Sequence, residues 1–418
     1  MSSRVSGTIR ASPSKSVTHR AIVLAGLSTG TCRIRRPLKA EDTDATIAGM
    51  EAFGTEFESS GEELRVIPTP LRSAGEPLDA RNSGTTLRLL AGVASLIDGV
   101  STLTGDASIQ RRPMGPLLEA LSSLGASTKS VGQNGRPPVE IRGVLRGGQA
   151  SLPGDVSSQF LSSLLIACPL AADESVIEIR SPLRSTPYVE LTRGMMADFG
   201  VDVAEDGHSY RIAGGMSYHP TDVEVPGDFS SAAFPLVAAA ITDGDVTVTD
   251  LDLEERPGDH KIIDVLRDFG ASVGIARDRV RVQGGPLAAQ TVDVGDHPDL
   301  FPVLAVLASQ AEGETRFVNG NHLRFKESDR IDATVSMLHA LGGRAKATPD
   351  GAVVSGPNRL LGGSVDARGD HRILMAAAVA GLVAREPVDI SDPWCFRASY
   401  PSFFDDMRSL GALQAVMA

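Results

Sequence analysis

Basic side chains lie close to the predicted starts of several helices in this chain of 418 residues. The N-terminus of a helix exposes unpaired N–H groups and the positive end of the helix dipole, so it favours anions and disfavours cations. Lysine or arginine at this position does not stabilise a helix. The pattern therefore indicates anion binding by six side chains: Lys15, Arg88, Arg112, Lys326, Arg330 and Arg372.

Hydroxyl, amide and carboxylate side chains accompany these cations. Predicted helix starts carry Ser14-Lys15-Ser16, Asn82-Ser83-Gly84, Ser157-Ser158-Gln159, Asp228-Phe229-Ser230, His297-Pro298-Asp299, Asp370-His371-Arg372, Arg111-Arg112-Pro113, Ser185-Thr186-Pro187 and Lys326-Glu327-Ser328-Asp329-Arg330. Serine, aspartate and asparagine are also ordinary N-caps, so no single one of them indicates a ligand. The hypothesis of an anion site depends on the whole set.

Magnitudes indicate which groups dominate such a site. A helix terminus contributes about 0.3–1 kcal/mol, whereas a hydrogen bond to a charged group contributes about 1.5–3 kcal/mol. Micromolar affinity needs about 8 kcal/mol. Four or five lysine and arginine contacts supply this, and the helix termini then orient the ligand.

Two acids stand among the cations and could move protons. Asp299 is predicted to open a helix beside His297, and Glu327 is next to Lys326. A carboxylate among cations stays ionised and can act as a general base. The sequence contains no phosphate-binding loop, no dinucleotide fingerprint and no metal-ligand spacing. It therefore predicts chemistry without a metal or a cofactor.

The elements that carry these residues repeat six times. A bulky apolar residue followed by glycine ends a helix-like stretch at regular intervals, and successive glycines lie 69 to 75 residues apart: Phe53-Gly54, Leu124-Gly125, Phe199-Gly200, Phe269-Gly270, Leu341-Gly342 and Leu410-Gly411. Glycine tolerates the positive φ that follows a last helical turn. The spacing predicts six copies of one supersecondary unit.

Each unit has the pattern β-α-β-α-β-β. In the fourth unit the predicted elements are 222–225, 230–241, 245–248, 260–269, 272–275 and 279–282. Alternating strands and helices predict an α/β fold with some parallel pairing. We expect two similar domains of three units each, residues 14–225 and residues 1–13 plus 226–418, with the N-terminal strand completing the last units and a hinge near Met216–Asp228.

Composition excludes several functional classes. The formal net charge of −12 and an aromatic content of 4% disfavour nucleic-acid binding. Apolar runs such as Ala232–Ile241 are too short to cross a membrane, and Met1–Val17 has no apolar segment typical of a secretory signal. Cys32, Cys168 and Cys395 are few and widely separated, which favours a reducing, cytoplasmic setting.

The motifs resemble one family along the whole chain, the 5-enolpyruvylshikimate-3-phosphate synthases (3-phosphoshikimate 1-carboxyvinyltransferases). The resemblance is carried by Pro13-Ser14-Lys15-Ser16 with Arg20, by 81–88, by Arg111-Arg112-Pro113-Met114, by Ser157-Ser158-Gln159-Phe160, by 324–330 and by Asp370-His371-Arg372. It implies transfer of the enolpyruvyl group of phosphoenolpyruvate to the 5-hydroxyl of shikimate 3-phosphate, with release of phosphate. It also implies two α/β domains of β-α-β-α-β-β units in an inside-out α/β barrel that close on substrate. We further expect no cofactor, no metal and a monomer.

The resemblance also implies roles for individual residues. Shikimate 3-phosphate would contact Lys15, Ser16, Arg20, Ser157, Ser158, Gln159, Ser185, Asp299 and Lys326, with Tyr188 packed beside them. Phosphoenolpyruvate would contact Lys15, Gly84, Arg112, Gln159, Arg330 and Arg372. Asp299 would take the 5-hydroxyl proton, Glu327 would stand by the methylene carbon, and Lys15 would protonate the departing phosphate.

Two positions depart from the family pattern. Many members carry lysine where this chain has Ala398, so one cation over phosphoenolpyruvate is missing unless Arg397 replaces it. Many members carry asparagine where this chain has His322. Neither departure touches Asp299 or Lys15, so we expect activity to persist. The small size of Gly84 should let phosphoenolpyruvate, or its mimic glyphosate, approach the helix start closely.

Three other functions remain open at this stage. UDP-N-acetylglucosamine enolpyruvyl transferase shares the architecture and the donor, but it commonly carries a loop cysteine where this chain has Ala107-Ser108-Ile109-Gln110-Arg111. An RNA phosphate cyclase is built from a related unit, although acidic charge and absent nucleotide motifs count against it. An inactive anion-binding paralogue would bind the ligands without turning them over.

Overall fold

A computed structural model of the protein describes residues 4–254 and 258–412, so the ends of the predicted second domain (1–3 and 413–418) and residues 255–257 lie outside it. The strands are β1 Ser6–Arg10, β2 Cys32–Arg35, β3 Glu56–Ser60, β4 Glu63–Ile67, β5 Leu78–Asp79, β6 Val100–Thr104, β7 Ser127–Ser130, β8 Val139–Arg142, β9 Gly148–Leu152, β10 Ser175–Ile179, β11 Ala204–Asp206, β12 Ser209–Ile212, β13 Val223–Glu224, β14 Asp245–Thr249, β15 Ser272–Ala276, β16 Arg279–Gln283, β17 Thr291–Asp293, β18 Gly313–Val318, β19 Arg344–Thr348, β20 Gly351–Gly356, β21 Gly363–Val365 and β22 Val388–Ile390. The α-helices are α1 Lys15–Gly26, α2 Glu41–Ala52, α3 Gly84–Ala94, α4 Gly115–Ser123, α5 Ser158–Ala167, α6 Thr186–Asp198, α7 Phe229–Ile241, α8 Ile262–Phe269, α9 Phe301–Gln310, α10 Arg330–Ala340, α11 His371–Gly381 and α12 Phe403–Ser409.

The chain forms two compact units. One is continuous and runs from Pro13 to Val225, and we call it the continuous unit. The other combines the segment up to Ser12 with the chain from Pro226 onward, and we call it the split unit. Each unit has its own hydrophobic core.

Five four-stranded sheets share one strand order, in which the first strand of a repeat pairs with the second, the second with the fourth and the fourth with the third. In the sheet β5-β6-β8-β7 the first pair is parallel and the other two are antiparallel. The sixth repeat keeps only the parallel pair β21–β22 among the described residues. The β-α-β-α-β-β unit is confirmed, and the described strands form separate open sheets that do not close into a barrel.

Two edge strands pair with partners that are distant in sequence. Strand β1 pairs in parallel with β14 of the fourth repeat, and β13 pairs in parallel with β2 of the first repeat. The prediction that 222–225 opens the fourth repeat was therefore wrong. A two-residue strand has too few side chains for its pattern to specify a partner, so the pairing is settled by long-range packing.

The glycines that were predicted to end helices do so with left-handed backbone. All six have φ between 81° and 113°, and they follow α2, α4, α6, α8, α10 and α12. An L side chain would be strained in this conformation, whereas glycine adopts it readily. This confirms the six-fold repeat.

The first helix of each repeat is buried on nearly every side. In α9 every residue from Phe301 to Ser309 is buried, and alanine and phenylalanine make up most of α7. A helix that is apolar all round belongs in the interior of a protein. In the split unit α7, α9 and α11 pack on one another, and in the continuous unit α1, α3 and α5 pack through α3. Functional side chains lie at the starts of these central helices.

Candidate active site

In the split unit the starts of the three central helices meet around Arg372. This arginine is the second residue of α11, and its guanidinium is 1% exposed. Its Nη2 donates to the Ser230 hydroxyl at 2.7 Å, near the start of α7, and to Asp299 Oδ2 at 3.0 Å, just before α9. Its Nη1 donates to the Ser230 carbonyl at 3.2 Å. One buried cation thus links all three helices.

Arg330, the first residue of α10, contacts three carboxylates. Its Nη1 donates to Asp299 Oδ1 at 2.5 Å, its Nη2 to Glu327 Oε2 at 2.6 Å and its Nε to Asp370 Oδ2 at 3.0 Å. The Arg330 side chain is 2% exposed, and that of Asp370 is fully buried. Hydrogen-bonded charges of opposite sign offset part of the cost of burying each charge, so removal of one partner would leave the others uncompensated.

The charge environment keeps both arginines protonated. Burial disfavours a charged guanidinium, but the carboxylates of Asp370, Glu327 and Asp299 raise the pKa of Arg330 well above its usual value. Burial likewise opposes the charge on Arg372, and its carboxylate neighbours, Asp299 first among them, raise its pKa. Two permanent cations therefore flank Asp299.

The structure shifts the predicted helix start beside Asp299. Helix α9 begins at Phe301 with Leu300 as the preceding residue, so Asp299 does not open the helix as predicted but lies in the turn before it. The Leu300 N–H donates to the His297 carbonyl at 3.2 Å, which closes this turn. His297 is buried, and burial lowers its pKa although Asp293 and Asp296 oppose the shift.

The segment before α10 places the next two predicted residues. A 3-10 helix, Asn321–Phe325, precedes Lys326, whose side chain is half-buried. Glu327 is next in the chain, and its carboxylate accepts a hydrogen bond from Arg330. His322, one of the two positions that depart from the family pattern, is 2% exposed in that 3-10 helix. At the other departure, Ala398 is buried, and the Arg397 guanidinium lies over the Trp394 ring at 4.3 Å from its centre.

In the continuous unit, two arginines meet at Gly84, the first residue of α3. A Cβ atom on Gly84 would lie 2.7 Å from Arg112 Nη1 and 2.8 Å from Arg88 Nη1. Arg88 donates to Gln159 Oε1 at 2.5 Å, and Gln159 Nε2 donates to Thr85 Oγ1 at 2.8 Å. The start of α3 thus carries two guanidinium groups within reach of its free N–H groups, which is an arrangement suited to an anion.

Arg112 reaches this point from outside its predicted helix. Sequence reasoning placed it at the start of a helix, but α4 begins at Gly115, and Arg112 follows the 3-10 helix Ile109–Arg111. Pro113 explains the shift, because the residue before a proline is disfavoured in helical conformation. The Arg112 Nη2 donates to Asn82 Oδ1 at 2.5 Å and to Ser108 Oγ at 3.1 Å.

Lys15, the first residue of α1, contacts a carboxylate of α2. Its Nζ lies 2.9 Å from Asp42 Oδ2, and the two side chains are 14% and 7% exposed. Ser14 caps α1 by accepting from the Val17 N–H. Sequence reasoning missed Asp42, because it stands in the first turn of another helix, where an acidic residue needs no explanation beyond the helix dipole.

Arg20 ties three helices of the continuous unit together. From α1 it donates to the Thr192 hydroxyl at 2.8 Å, the Tyr188 carbonyl at 3.0 Å, the Ser162 hydroxyl at 3.4 Å and the Ser16 carbonyl at 3.0 Å. Burial lowers its pKa to about 10. The structure therefore gives Arg20 a packing role between α1, α5 and α6.

The predicted serines stand at two further helix starts. Ser157 caps α5 by accepting from the Gln159 N–H at 3.3 Å, and Ser158 is the buried first residue of that helix. Ser185 precedes α6 with a φ of 56° and is 3% exposed. Sequence analysis missed the roles of Asp370 and Ser230 toward the arginines, because both read as ordinary capping residues.

The described residues hold no cluster of histidine, cysteine, aspartate and glutamate that could bind a metal ion. Within the same residues, no helix is both long and apolar enough to cross a membrane.

Comparison with known proteins places this arrangement in a family. Residues 1–407 match the model of the family described as EPSP synthase (3-phosphoshikimate 1-carboxyvinyltransferase). The 3-phosphoshikimate 1-carboxyvinyltransferase of Methanocorpusculum labreanum is 44% identical over 98% of this chain and 97% of its own, and that of Methanothrix thermoacetophila is 46% identical with the same coverage. A solved EPSP synthase from Acinetobacter baumannii superimposes with a TM-score of 0.82 at 31% identity, covering 99% of this chain and 97% of its own. The chain belongs to the EPSP synthase (3-phosphoshikimate 1-carboxyvinyltransferase) family.

Proposed function

We propose that this protein transfers the enolpyruvyl group of phosphoenolpyruvate to the 5-hydroxyl of shikimate 3-phosphate and releases phosphate. The observation that carries the proposal is the placement of Asp299 between Arg330 and Arg372 at the starts of buried helices. A potential base is thereby held beside two fixed cations. Both substrates carry a carboxylate and a phosphate, which are the groups that such cations bind.

The proposed ligands are those that the family resemblance assigns to each substrate. The proposed ligands of shikimate 3-phosphate are Lys15, Ser16, Arg20, Ser157, Ser158, Gln159, Ser185, Asp299 and Lys326. The proposed ligands of phosphoenolpyruvate are Lys15, Gly84, Arg112, Gln159, Arg330 and Arg372. The contacts described above support this assignment for Gly84, Arg112 and Gln159, because these three residues are grouped at the start of α3.

The reaction requires proton transfer on both sides of one carbon. Asp299 takes the proton of the 5-hydroxyl as its oxygen bonds to C2 of phosphoenolpyruvate. Glu327 enters this step as the carboxylic acid, having taken a proton from solvent, and gives that proton to C3. In the resulting tetrahedral intermediate Glu327 takes a proton back from C3, the double bond re-forms and the C2–O bond to phosphate breaks. Lys15 protonates the departing phosphate. Asp299 has then gained one proton and Lys15 has lost one, and exchange with solvent restores both.

The arginines act by electrostatics. The transition state leading to the phosphate gains negative charge on the phosphate oxygens, and guanidinium groups that are already in place stabilise it without reorganisation. We further propose that the enzyme works as a monomer in the cytoplasm, using no metal or cofactor. Cys32 and Cys168 are buried free thiols, a state that a reducing compartment preserves.

Phosphate release with both substrates tests the function. We expect release only when shikimate 3-phosphate and phosphoenolpyruvate are both present, and none when UDP-N-acetylglucosamine replaces the acceptor. In Asp299→Ala we expect turnover to fall by about 10²–10⁴-fold, as for loss of a general base, while both ligands still bind in equilibrium titration. Wild-type binding without turnover would instead indicate an inactive anion-binding protein.

A further inference from the structure

Asp299 occupies donor groups that an anionic substrate needs. Its two oxygens accept from Arg330 Nη1 and Arg372 Nη2 at 2.5 and 3.0 Å. A carboxylate that spans two guanidinium groups has the same charge and planar shape as the carboxylate of phosphoenolpyruvate. The two carboxylates therefore compete for one position.

The same contacts weaken Asp299 as a base. A carboxylate that accepts charge-assisted hydrogen bonds from two arginines holds a proton less readily than one without them. A group that must remove a hydroxyl proton needs the opposite tuning, with a high proton affinity at the moment of reaction. The contacts with Arg330 and Arg372 thus stabilise the charge on Asp299 and suppress its action as a base.

We propose that Asp299 stands in for the substrate carboxylate, and that it becomes a competent base only when phosphoenolpyruvate takes over its contacts with Arg330 and Arg372. This inference rests on the proposed function and adds an order to it. Deprotonation of the acceptor is coupled to arrival of the donor, so that Asp299 does not take a proton before there is a carbon to attack.

Differences among the three acids on Arg330 identify Asp299 as the exchangeable one. Asp370 is fully buried and also accepts from the Arg372 backbone N–H at 2.9 Å and the Ser328 hydroxyl at 3.0 Å. Glu327 is 14% exposed and accepts from Arg330 Nη2. Asp299 is 22% exposed and accepts from the guanidinium groups of both arginines. A solvent-accessible, bridging carboxylate is the one that a ligand can displace.

Pyruvate is a suitable probe, because it carries the carboxylate without the phosphate and does not titrate near neutrality. Proton uptake that accompanies its binding therefore belongs to the protein. Isothermal titration in buffers of different ionisation enthalpy measures this uptake together with the dissociation constant. The other charged groups that could contribute act on the two arginines beside Asp299: Glu327 and Asp370 on Arg330, and Asp228 and Asp259 on Arg372. His297 lies two residues before Asp299 in the chain.

Asp299→Asn removes the competing charge. Glu327→Gln is the matched control, since it removes a carboxylate that pairs with Arg330. We expect Asp299→Asn to bind pyruvate about tenfold more tightly than wild type, as the loss of one charge-assisted competitor predicts. The affinity of Glu327→Gln for pyruvate should rise by less than half as much as that of Asp299→Asn, on a logarithmic scale. Wild type should take up protons on binding at mildly acidic pH, and Asp299→Asn should not.

Equal affinity of Asp299→Asn and wild type, or equal gains in both variants, would overturn the inference. Should Asp299→Asn fail to fold, proton uptake by wild type compared with Glu327→Gln still decides, because absence of uptake in both would mean that Asp299 keeps its arginines. Phosphate release by wild type with both substrates is measured in parallel. Turnover without competition refutes this inference alone, whereas absence of turnover refutes the proposed function.

Discussion

The two units treat their arginines differently. In the split unit, Arg330 and Arg372 are surrounded by carboxylates, so much of their charge is already compensated. In the continuous unit, Arg88 and Arg112 meet the neutral oxygens of Gln159, Asn82 and Ser108. A neutral acceptor leaves the positive charge in place for a ligand, whereas a carboxylate has to be displaced. The arginines of the continuous unit can thus attract an anion directly. Those of the split unit bind an anion by exchanging a carboxylate of the protein for it.

Removing a buried arginine from each unit should separate these roles most strongly. Arg330→Gln removes the cation that Asp299, Glu327 and Asp370 share and leaves Asp299 its contact with Arg372. We expect the free energy of unfolding to fall by about 3–5 kcal/mol. Arg112→Gln leaves neutral partners, and we expect a loss of about 1–2 kcal/mol. Urea unfolding measures both. Equal losses would contradict the contrast between the units.

The close approach at Gly84 should affect ligand affinity rather than stability. Gly84→Ala would place a methyl group against the tips of Arg112 and Arg88, so both guanidinium groups must move. We expect the KM for phosphoenolpyruvate to rise about tenfold, and inhibition by glyphosate to weaken by more than that. Steady-state kinetics gives both values.

Gly194→Ala provides the matched control for that experiment. Gly194 lies in the exposed interior of α6 with open space where a methyl group would go, so its substitution should leave both constants unchanged. If Gly84→Ala shifts KM and the glyphosate inhibition constant equally, the absence of a side chain at Gly84 does not discriminate glyphosate from phosphoenolpyruvate.

The buried His19 should make the continuous unit sensitive to acid, and more strongly than His297 does for the split unit. Burial, then Lys15 and Arg20, lower the pKa of His19 well below its usual 6.5, while Asp293 and Asp296 oppose the smaller effect of burial on His297. A histidine with a lowered folded pKa stabilises the fold fully above 6.5, and this stabilisation is lost as pH falls below that value. The slope is at most about 1.4 kcal/mol per pH unit for one proton.

We therefore expect His19→Gln to flatten the loss of unfolding free energy below pH 6.5, and His297→Gln to flatten it less. Denaturant unfolding at several pH values measures the slopes, with exposed His208→Gln as the reference. A steeper profile in His19→Gln than in wild type would contradict the sign of the shift.

The smallest expected effect concerns Ala398. Arg397 beside it stacks on Trp394, so it has an alternative partner to any ligand. Ala398→Lys adds a cation, and we expect the KM for phosphoenolpyruvate to fall about two- to threefold. An unchanged or raised KM would indicate that Arg397 or another group already serves there, and Arg397→Gln measures that contribution directly.

The repeat was predictable from sequence because its signals are local. Each of the glycines such as Gly54 and Gly270 ends a helix for a backbone reason that needs no tertiary contact. The cations at helix starts were visible for a similar reason, since Lys15 and Arg372 contradict the preference of the helix dipole. These local rules gave the elements and most of the candidate residues.

The charge pairing was not predictable, because it depends on contacts between helices. Asp42 and Asp370 look like unremarkable acids in a first turn and at an N-cap, yet they contact Lys15 and Arg330. Sequence reasoning assigned Asp299 to proton transfer and did not foresee that two arginines would hold it. The partner of strand β13 was also missed, since two residues carry no register information.

The pairing of β1 has a consequence for synthesis of the chain. Arg10, at the end of β1, and Asp250, just after β14, contact each other across 240 residues of sequence. At about 5–20 residues per second, a ribosome needs roughly 10–50 seconds to make that stretch. During this time β1 has no partner strand and could aggregate. The risk is small because Ile9 is the buried residue among its five. A strand with so little apolar surface can remain exposed to water without aggregating.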